Sequence, residues 1–489
     1  MKKAKFLTPV VLIQLLIFLA LPSCKQAEEG TKTNETALPV PKNILIFIGD
    51  GMGHSHVDAA NYFEYGKSKA QKYQQPDWVS LSMSTYPSVI SINEKDTIFA
   101  HGYNPMEAST NPEYLKKDVT GSGAAGTALF TGTKSYNGTI GMSIYQDSLT
   151  NISQAAKEKG KSVGVVSSVQ LSHATPASFV AHNKSRNNYE EIAQYMFFNT
   201  KADVIMATGN PDFNNNGEPE QGNPQYVGGQ EIWDMLKEND QRMVFETTDK
   251  TFSVKDIDGD QKPDPWTLIQ KREEFVKMAT GETPKRVLGV PQVHSTLSQN
   301  RSQRDTTPGL PYETPMNENI ATLEEMTEAA INVLQKNDKG FIMMVEGGAI
   351  DWASHGNQSD RVIEEQMEFN NAVNTAIEWV ENNSNWEETL VIVTADHECG
   401  YLTGPGEANP LYPSVVNNGK EKLPGMEWQH GGHTNVLVPF YAKGLGAEMF
   451  EVMAGENDPV YGKFLQNTDI AELVFMMWGK PSKTNSESK

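Results

Sequence analysis

Three strongly apolar runs, at positions 43–48, 341–345 and 390–393, are each followed within three residues by a carboxylate: Asp50, Glu346 and Asp396. Runs with no polar face read as strands buried on both sides, the pattern of a parallel sheet covered by helices. An open α/β sheet builds its ligand site beyond the carboxyl ends of such strands. The segments that follow are Asp50-Gly51-Met52-Gly53, Glu346-Gly-Gly-Ala-Ile-Asp351-Trp-Ala-Ser-His355 and Thr394-Ala-Asp396-His397, and a fourth, His433-Thr434, precedes another apolar run. Four carboxylates and three histidines converging at one edge repel one another unless cations hold them. The pattern reads as a multi-metal enzyme site.

Asp351 and His355 are four apart, so on a helical turn they share a face and can grip one ion, and His433 would complete three protein ligands with room for substrate. His430, three residues earlier, is the rival to His433. Asp396 and His397 are adjacent and must lie in the turn after their strand to reach one ion. Within Thr120-Gly121-Ser122-Gly123-Ala124-Ala125-Gly126-Thr127, Ser122 precedes small residues able to start a helix, whose free N–H groups suit an anion. Metal coordination can make such a serine a nucleophile, with Thr120 and Thr127 as rivals. His173-Ala174-Thr175-Pro176, followed by Arg186, adds a hydroxyl and a guanidinium fork suited to phosphate.

Helical and strand patterns alternate along the rest of the chain. Residues 152–159 read as a helix, 162–167 as a strand, 321–335 and 361–382 as helices feeding further strands. The expected fold class is α/β: a doubly wound, mostly parallel sheet flanked by helices. Between about 209 and 318 the pattern degrades into Asn, Gly, Pro and charged residues, expected to form a loop-rich insertion at the rim of the site. Two segments there resemble calcium loops, Asp256-Ile-Asp258-Gly-Asp260-Gln-Lys-Pro-Asp264 and, more weakly, Asp212 to Gly217. Plain polar turns explain the same residues. At 489 residues one enlarged domain, 42–480, is expected, with a disordered tail at 481–489. A net charge of −21 argues against nucleic-acid binding, and a phosphate ester would meet an attractive field only at a cluster of divalent cations.

Lys2, Lys3 and Lys5 precede an apolar stretch and then Leu21-Pro22-Ser23-Cys24, which resembles a bacterial lipobox. Residues 1–23 are expected to be a signal peptide, Cys24 the lipidated first residue, and 24–41 a flexible tether, the alternative being an ordinary cleaved signal. The protein is then exported and lipid-anchored to a bacterial membrane, facing the periplasm or the cell surface. The other cysteine, Cys399, has no disulfide partner. It lies two residues past His397 and is expected to be a small buried residue rather than a ligand.

These segments, in order and together with Thr133-Lys-Ser-Tyr-Asn-Gly138, resemble the alkaline phosphatase family from about residue 42 to about 443. The resemblance implies one zinc held by Asp351, His355 and His433, and a second by Asp50, Asp396 and His397. It implies magnesium at Asp50, Thr175 and Glu346, Ser122 as nucleophile, and Arg186 as the phosphate clamp. Three departures stand out. Gly121 replaces an Asp that many bacterial members use to hold the arginine, His173 stands where the bacterial prototype has Asp, and Trp352 replaces its Lys. His173 and Trp352 are thus expected beside the metals rather than on them. The implied activity is hydrolysis of small phosphate monoesters through a phosphoserine, by a monomer or homodimer. A phosphodiesterase of the same superfamily and a non-catalytic metal-loaded surface lipoprotein are the alternatives.

Overall fold

An eleven-stranded sheet forms the centre of the molecule. The computed structural model describes residues 38–90, 98–99, 102–238, 241–301 and 309–480. The signal segment 1–23, Cys24, most of the 24–41 tether and the tail 481–489 lie outside the described residues. At the centre of the sheet the strand Asn43–Gly49 pairs in parallel with Phe341–Gly347 on one side and Thr389–Thr394 on the other. All three are buried along their whole length, as unbroken apolar runs require. Parallel pairing continues outward through Ser162–Gln170, Val204–Thr208, Val287–Gly289 and Thr267–Ile269. Beyond Thr389–Thr394, Val438–Gly444 enters antiparallel and pairs in turn with Val79–Ser84.

The helices that cover the sheet start where their sequence allows. Leu323–Leu334 begins at Thr322, whose hydroxyl accepts from the Glu325 amide while the Glu325 side chain returns to the Thr322 amide. Ser359–Asn383 is the long helix against the other strands. Among the described residues no helix is long and apolar enough to cross a membrane.

Register is what builds the site. Ile48 stands opposite Glu346 and also opposite Thr394, while Glu346 stands opposite Ser167. Asp50, Glu346 and Asp396 therefore emerge together at one edge of the sheet. The segment 209–318 is rich in loops, yet it contributes Thr267–Ile269 and Val287–Gly289 to the sheet. Three residues are too few to stand out as an apolar run, so this part of the fold is silent in the sequence.

Candidate metal centre

The turn after Asn43–Gly49 depends on glycine. Gly51 has φ +79°, and a Cβ there would lie 2.7 Å from the Asp351 Cα. The chain thereby brings Asp50 beside the helix Ala349–His355, which carries Asp351 and His355 one turn apart. That helix is held from outside by His56. The His56 Nδ1 accepts the Gly53 amide at 3.1 Å, and its Nε2 lies 3.1 Å from the Ser354 hydroxyl. The short strand His433–Thr434 pairs antiparallel with Glu398–Cys399 and delivers His433 from the opposite side.

These elements converge. His355 Nε2 and His433 Nε2 are 3.0 Å apart, and each is within 3.5 Å of Asp351 Oδ1. Both rings turn Nδ1 to a backbone carbonyl, His355 to Gly431 at 2.9 Å and His433 to Thr120 at 2.8 Å. A carbonyl only accepts, so these contacts place a proton on each Nδ1 and turn both Nε2 atoms toward Asp351. His397 Nε2 lies 3.2 Å from Asp396 Oδ2, 3.4 Å from Asp50 Oδ1 and 3.4 Å from Ser122 Oγ. The fixed oxygen of Asp396, Oδ1, accepts the amides of Gly51 and His397. Thr175 Oγ1 donates to Asp50 Oδ2 at 3.4 Å, and Glu346 accepts a short bond from Ser167. Ser167 was not anticipated, although a serine at the end of an apolar strand, in register with Glu346, is the signal that would have found it.

Ser122 opens the helix Ser122–Thr131, with Gly121 as its cap, and is 4% exposed. Gly123 lets that helix end press against the Thr139 carbonyl, which a Cβ would approach to 2.5 Å. Thr120 and Thr127 are also buried, but the Thr127 hydroxyl is spent on the Gly123 carbonyl at 2.6 Å and Thr120 on the Gly121 carbonyl at 3.2 Å. His173 stacks on Tyr189 at 5.3 Å and tilts against Trp352 and Tyr226 at 5.4 and 5.9 Å. Burial, and then the Arg186 charge, lower His173 to about 3, so it is neutral. Arg186 also faces Asp50 and His397 closely enough to favour the carboxylate and oppose the imidazolium. His430 stays outside the cluster, and His182 is spent on the Leu149 carbonyl and the Tyr195 hydroxyl.

The donor set fits cations. Asp50 Oδ1, Asp351 Oδ1, Asp396 Oδ2 and His397 Nδ1 are buried and make no hydrogen bond. Burial first, and Asp351 next, push Asp50 up to about 7, while burial and Asp50 push both Glu346 and Asp396 far above the carboxylate range. Burial drives His397 the other way. Without a cation these carboxylates cannot all ionise together: against burial, Asp351 pushes His433 up to about 9, but that one imidazolium is too little charge for four carboxylates. One donor atom each from Asp351, His355, Cys399 and His433 lie within 4.8 Å of one another, as do those of Asp50, Asp351 and His397. Asp351 belongs to both groups, so the two sites adjoin.

The Asp256 loop is different. Asp256, Asp258 and Asp260 also cluster, but on the surface. The Lys285 ammonium lies 2.5 Å from Asp258 and 2.7 Å from Asp264, and Asp256 accepts the amides of Asp258, Gly259 and Gln261.

A family model for alkaline phosphatase matches residues 41–426. The chain is 28% identical to alkaline phosphatase 3 of Bacillus subtilis (strain 168), over 97% of each. It is 29% identical to the alkaline phosphatase of Escherichia coli (strain K12), over 77% of this chain and 74% of that one. In fold it is similar to Thermus thermophilus alkaline phosphatase, with a TM-score of 0.60 at 19% identity over 93% of this chain and 96% of the other. A magnesium-bound variant of the TAB5 alkaline phosphatase superposes with a TM-score of 0.59 at 22% identity, covering 91% and 99% of the two chains. With the match running from the strand that precedes Asp50 past the Asp396-His397 turn, this chain is an enzyme of the alkaline phosphatase family.

Proposed function

We propose that the protein hydrolyses small phosphate monoesters through a phosphoserine formed on Ser122. The observation that carries this reading is Ser122 Oγ at the start of a buried helix, 3.4 Å from His397 Nε2, in a site whose carboxylates need cations. Asp351, His355 and His433 would hold one zinc, Asp50, Asp396 and His397 a second, and Asp50, Thr175 and Glu346 a magnesium. Bound there, the metals supply Lewis-acid stabilisation of developing oxygen charge and lower the pKa of the serine hydroxyl and of water.

The chain's own groups do the rest. The helix Ser122–Thr131 aims the serine oxygen and presents its first amides to the phosphate. Arg186 offers a planar fork to two non-bridging oxygens as charge spreads over them in a loose transition state. A diester has one charged oxygen fewer, so the fork favours monoesters. His173, neutral and wedged among Tyr189, Tyr226 and Trp352, leaves the magnesium position with Asp50, Thr175 and Glu346 as its protein donors. Lipidation at Cys24 would tether the enzyme to a membrane outside the cytoplasm, and a diacylated Cys24 at the mature N-terminus in mass spectra tests that part. Candidate calcium at Asp256, Asp258, Asp260 and Asp264 requires Lys285 to leave.

The test of the chemistry is acid-trapping during turnover of an aryl phosphate, with metal content measured on the same sample. A phosphoryl group on Ser122 and bound zinc are expected. Phosphate on a threonine, activity that survives exhaustive chelation, or diester rates above monoester rates overturn the reading.

A further inference from the structure

The register that delivers His433 also aims a thiol. In the antiparallel pair formed by Glu398–Cys399 and His433–Thr434, Cys399 stands directly opposite His433 and Glu398 opposite Thr434. Directly opposed residues share one face, with Cβ atoms about 4.5–5.5 Å apart. The Glu398 face is spoken for, since its carboxylate accepts a short bond from the Thr434 hydroxyl and the Leu402 amide at 3.2 Å. Cys399 lies on the other face, with His433. It is fully buried, and its amide is tied to the Gly51 carbonyl at 3.0 Å. Its sulfur is within 4.8 Å of the donor atoms of Asp351, His355 and His433. Those three stand 3.0–3.5 Å apart, the spacing of one face of a small tetrahedron. At bond lengths of about 2.0–2.3 Å, ligands around zinc are spaced in this range. The buried Asp351 Oδ1 has no hydrogen bond and points into the same space.

We infer that Cys399 is a fourth protein ligand of the ion held by Asp351, His355 and His433, binding as a thiolate. The inference rests on the metal reading of the proposed function and adds to it a soft donor. On coordination the S–H bond breaks, a sulfur–metal bond forms and the proton passes to solvent. Zinc can take a fifth ligand, so a substrate oxygen would still have a place beside these four residues. A thiolate shifts the preference of the site toward thiophilic ions such as cadmium.

Cobalt decides it. The full-length metal-stripped chain is loaded with cobalt and its absorption recorded, with aryl phosphate turnover measured on the same sample. A sulfur-to-cobalt charge-transfer band is expected in the near ultraviolet, and it is lost in Cys399→Ser and Cys399→Ala. Cadmium affinity is expected to fall on the order of 10-fold or more in both variants. Visible cobalt bands without the charge-transfer band in the unaltered protein overturn the inference and leave the phosphatase reading standing. A band that survives Cys399→Ser belongs to Cys24 and overturns it equally. Failure to bind cobalt at all sinks both readings.

Discussion

Two of the buried carboxylate clusters in this protein differ in one respect, because one of the two comes with guanidiniums bonded to it. On the helix Ser359–Asn383, Glu364, Glu365 and Glu368 face Arg301 and Arg361. Arg301 and Arg361 both donate to Glu364 Oε2, at 2.8 and 3.0 Å, the Tyr312 amide donates to Glu364 Oε1, and the Ser298 hydroxyl to Glu365. Arg301 spends its remaining donors on the carbonyls of Ser298, Thr314 and Pro315. This cluster fastens the end of the 209–318 segment to the helix. At the sheet edge, Asp50, Glu346, Asp351 and Asp396 meet a buried, neutral His397 and a His433 whose single charge cannot neutralise four carboxylates. Several of their oxygens are orphaned. Two guanidiniums bonded to Glu364 make architecture, even though Glu368 Oε2 and the Arg361 Nε and Nη2 make no hydrogen bond there, whereas carboxylates left facing one another make a site for an ion from outside. The Asp256 loop falls between the two, because Lys285 stands where a metal would.

The largest expected effect separates chemistry from both clusters. Ser122→Ala is expected to lower turnover on the order of 10³-fold or more with metal content unchanged. Single-turnover assays with metal analysis check it, and a mild loss would return Thr120 to contention. Next comes Asp396→Asn. The variant should lose bound metal and on the order of 10²-fold in activity, because a donor is gone. Its metal-stripped form should be at least as stable as the unaltered protein, since folding no longer has to protonate a buried carboxyl that the unfolded chain keeps ionised. Calorimetry of the stripped proteins measures this, and a clear loss of stability would put Asp396 in the architectural class.

Arg301→Ala is the mirror image. It leaves Glu364 with only Arg361 and the Tyr312 amide and takes a donor from three carbonyls, so a loss of about 3–5 kcal/mol of stability is expected. Turnover per folded molecule should hold. If instead activity falls without loss of stability, the Arg301 cluster is part of the site.

Both clusters were unequally legible in the sequence. Asp50, Glu346 and Asp396 could be placed because each follows an apolar strand, and parallel strands bring their ends together whatever lies between them. Asp351 and His355 were legible as a helical pair. The orientation of Cys399 was not, because it depends on a two-residue strand pairing with His433 across the long segment between them. Ser167 was hidden for the same reason, since its role exists only through register with Glu346. The Glu364 cluster gave no signal because Arg301 is distant in sequence and a charged helix stretch ordinarily faces water. The strands Thr267–Ile269 and Val287–Gly289 were too short to show a period.

The smallest expected effect tests the architectural cluster without breaking it. Burial first, and the neighbouring Glu364 next, raise Glu365 to about 7 from an ordinary 4.5, against the pull of Ser298, Arg301 and Arg361. Burial and Glu365 push Glu368 up as well. The folded protein therefore keeps a proton that the unfolded chain releases above its ordinary pKa. Stability from this proton is fully present below pH 4.5 and is lost as pH rises through about 7. The slope contributed by Glu365 is at most about 1.4 kcal/mol per pH unit. Glu365→Gln keeps an oxygen for the Ser298 hydroxyl and removes the proton, so the fall in stability between about pH 5 and about pH 7.5 should shrink. Denaturant unfolding of metal-stripped protein at the two pH values measures the difference while keeping ion binding out of the comparison. An unchanged slope would mean that Glu365 is ionised in the folded state, with Arg301 and Arg361 shared across more carboxylates than Glu364 alone.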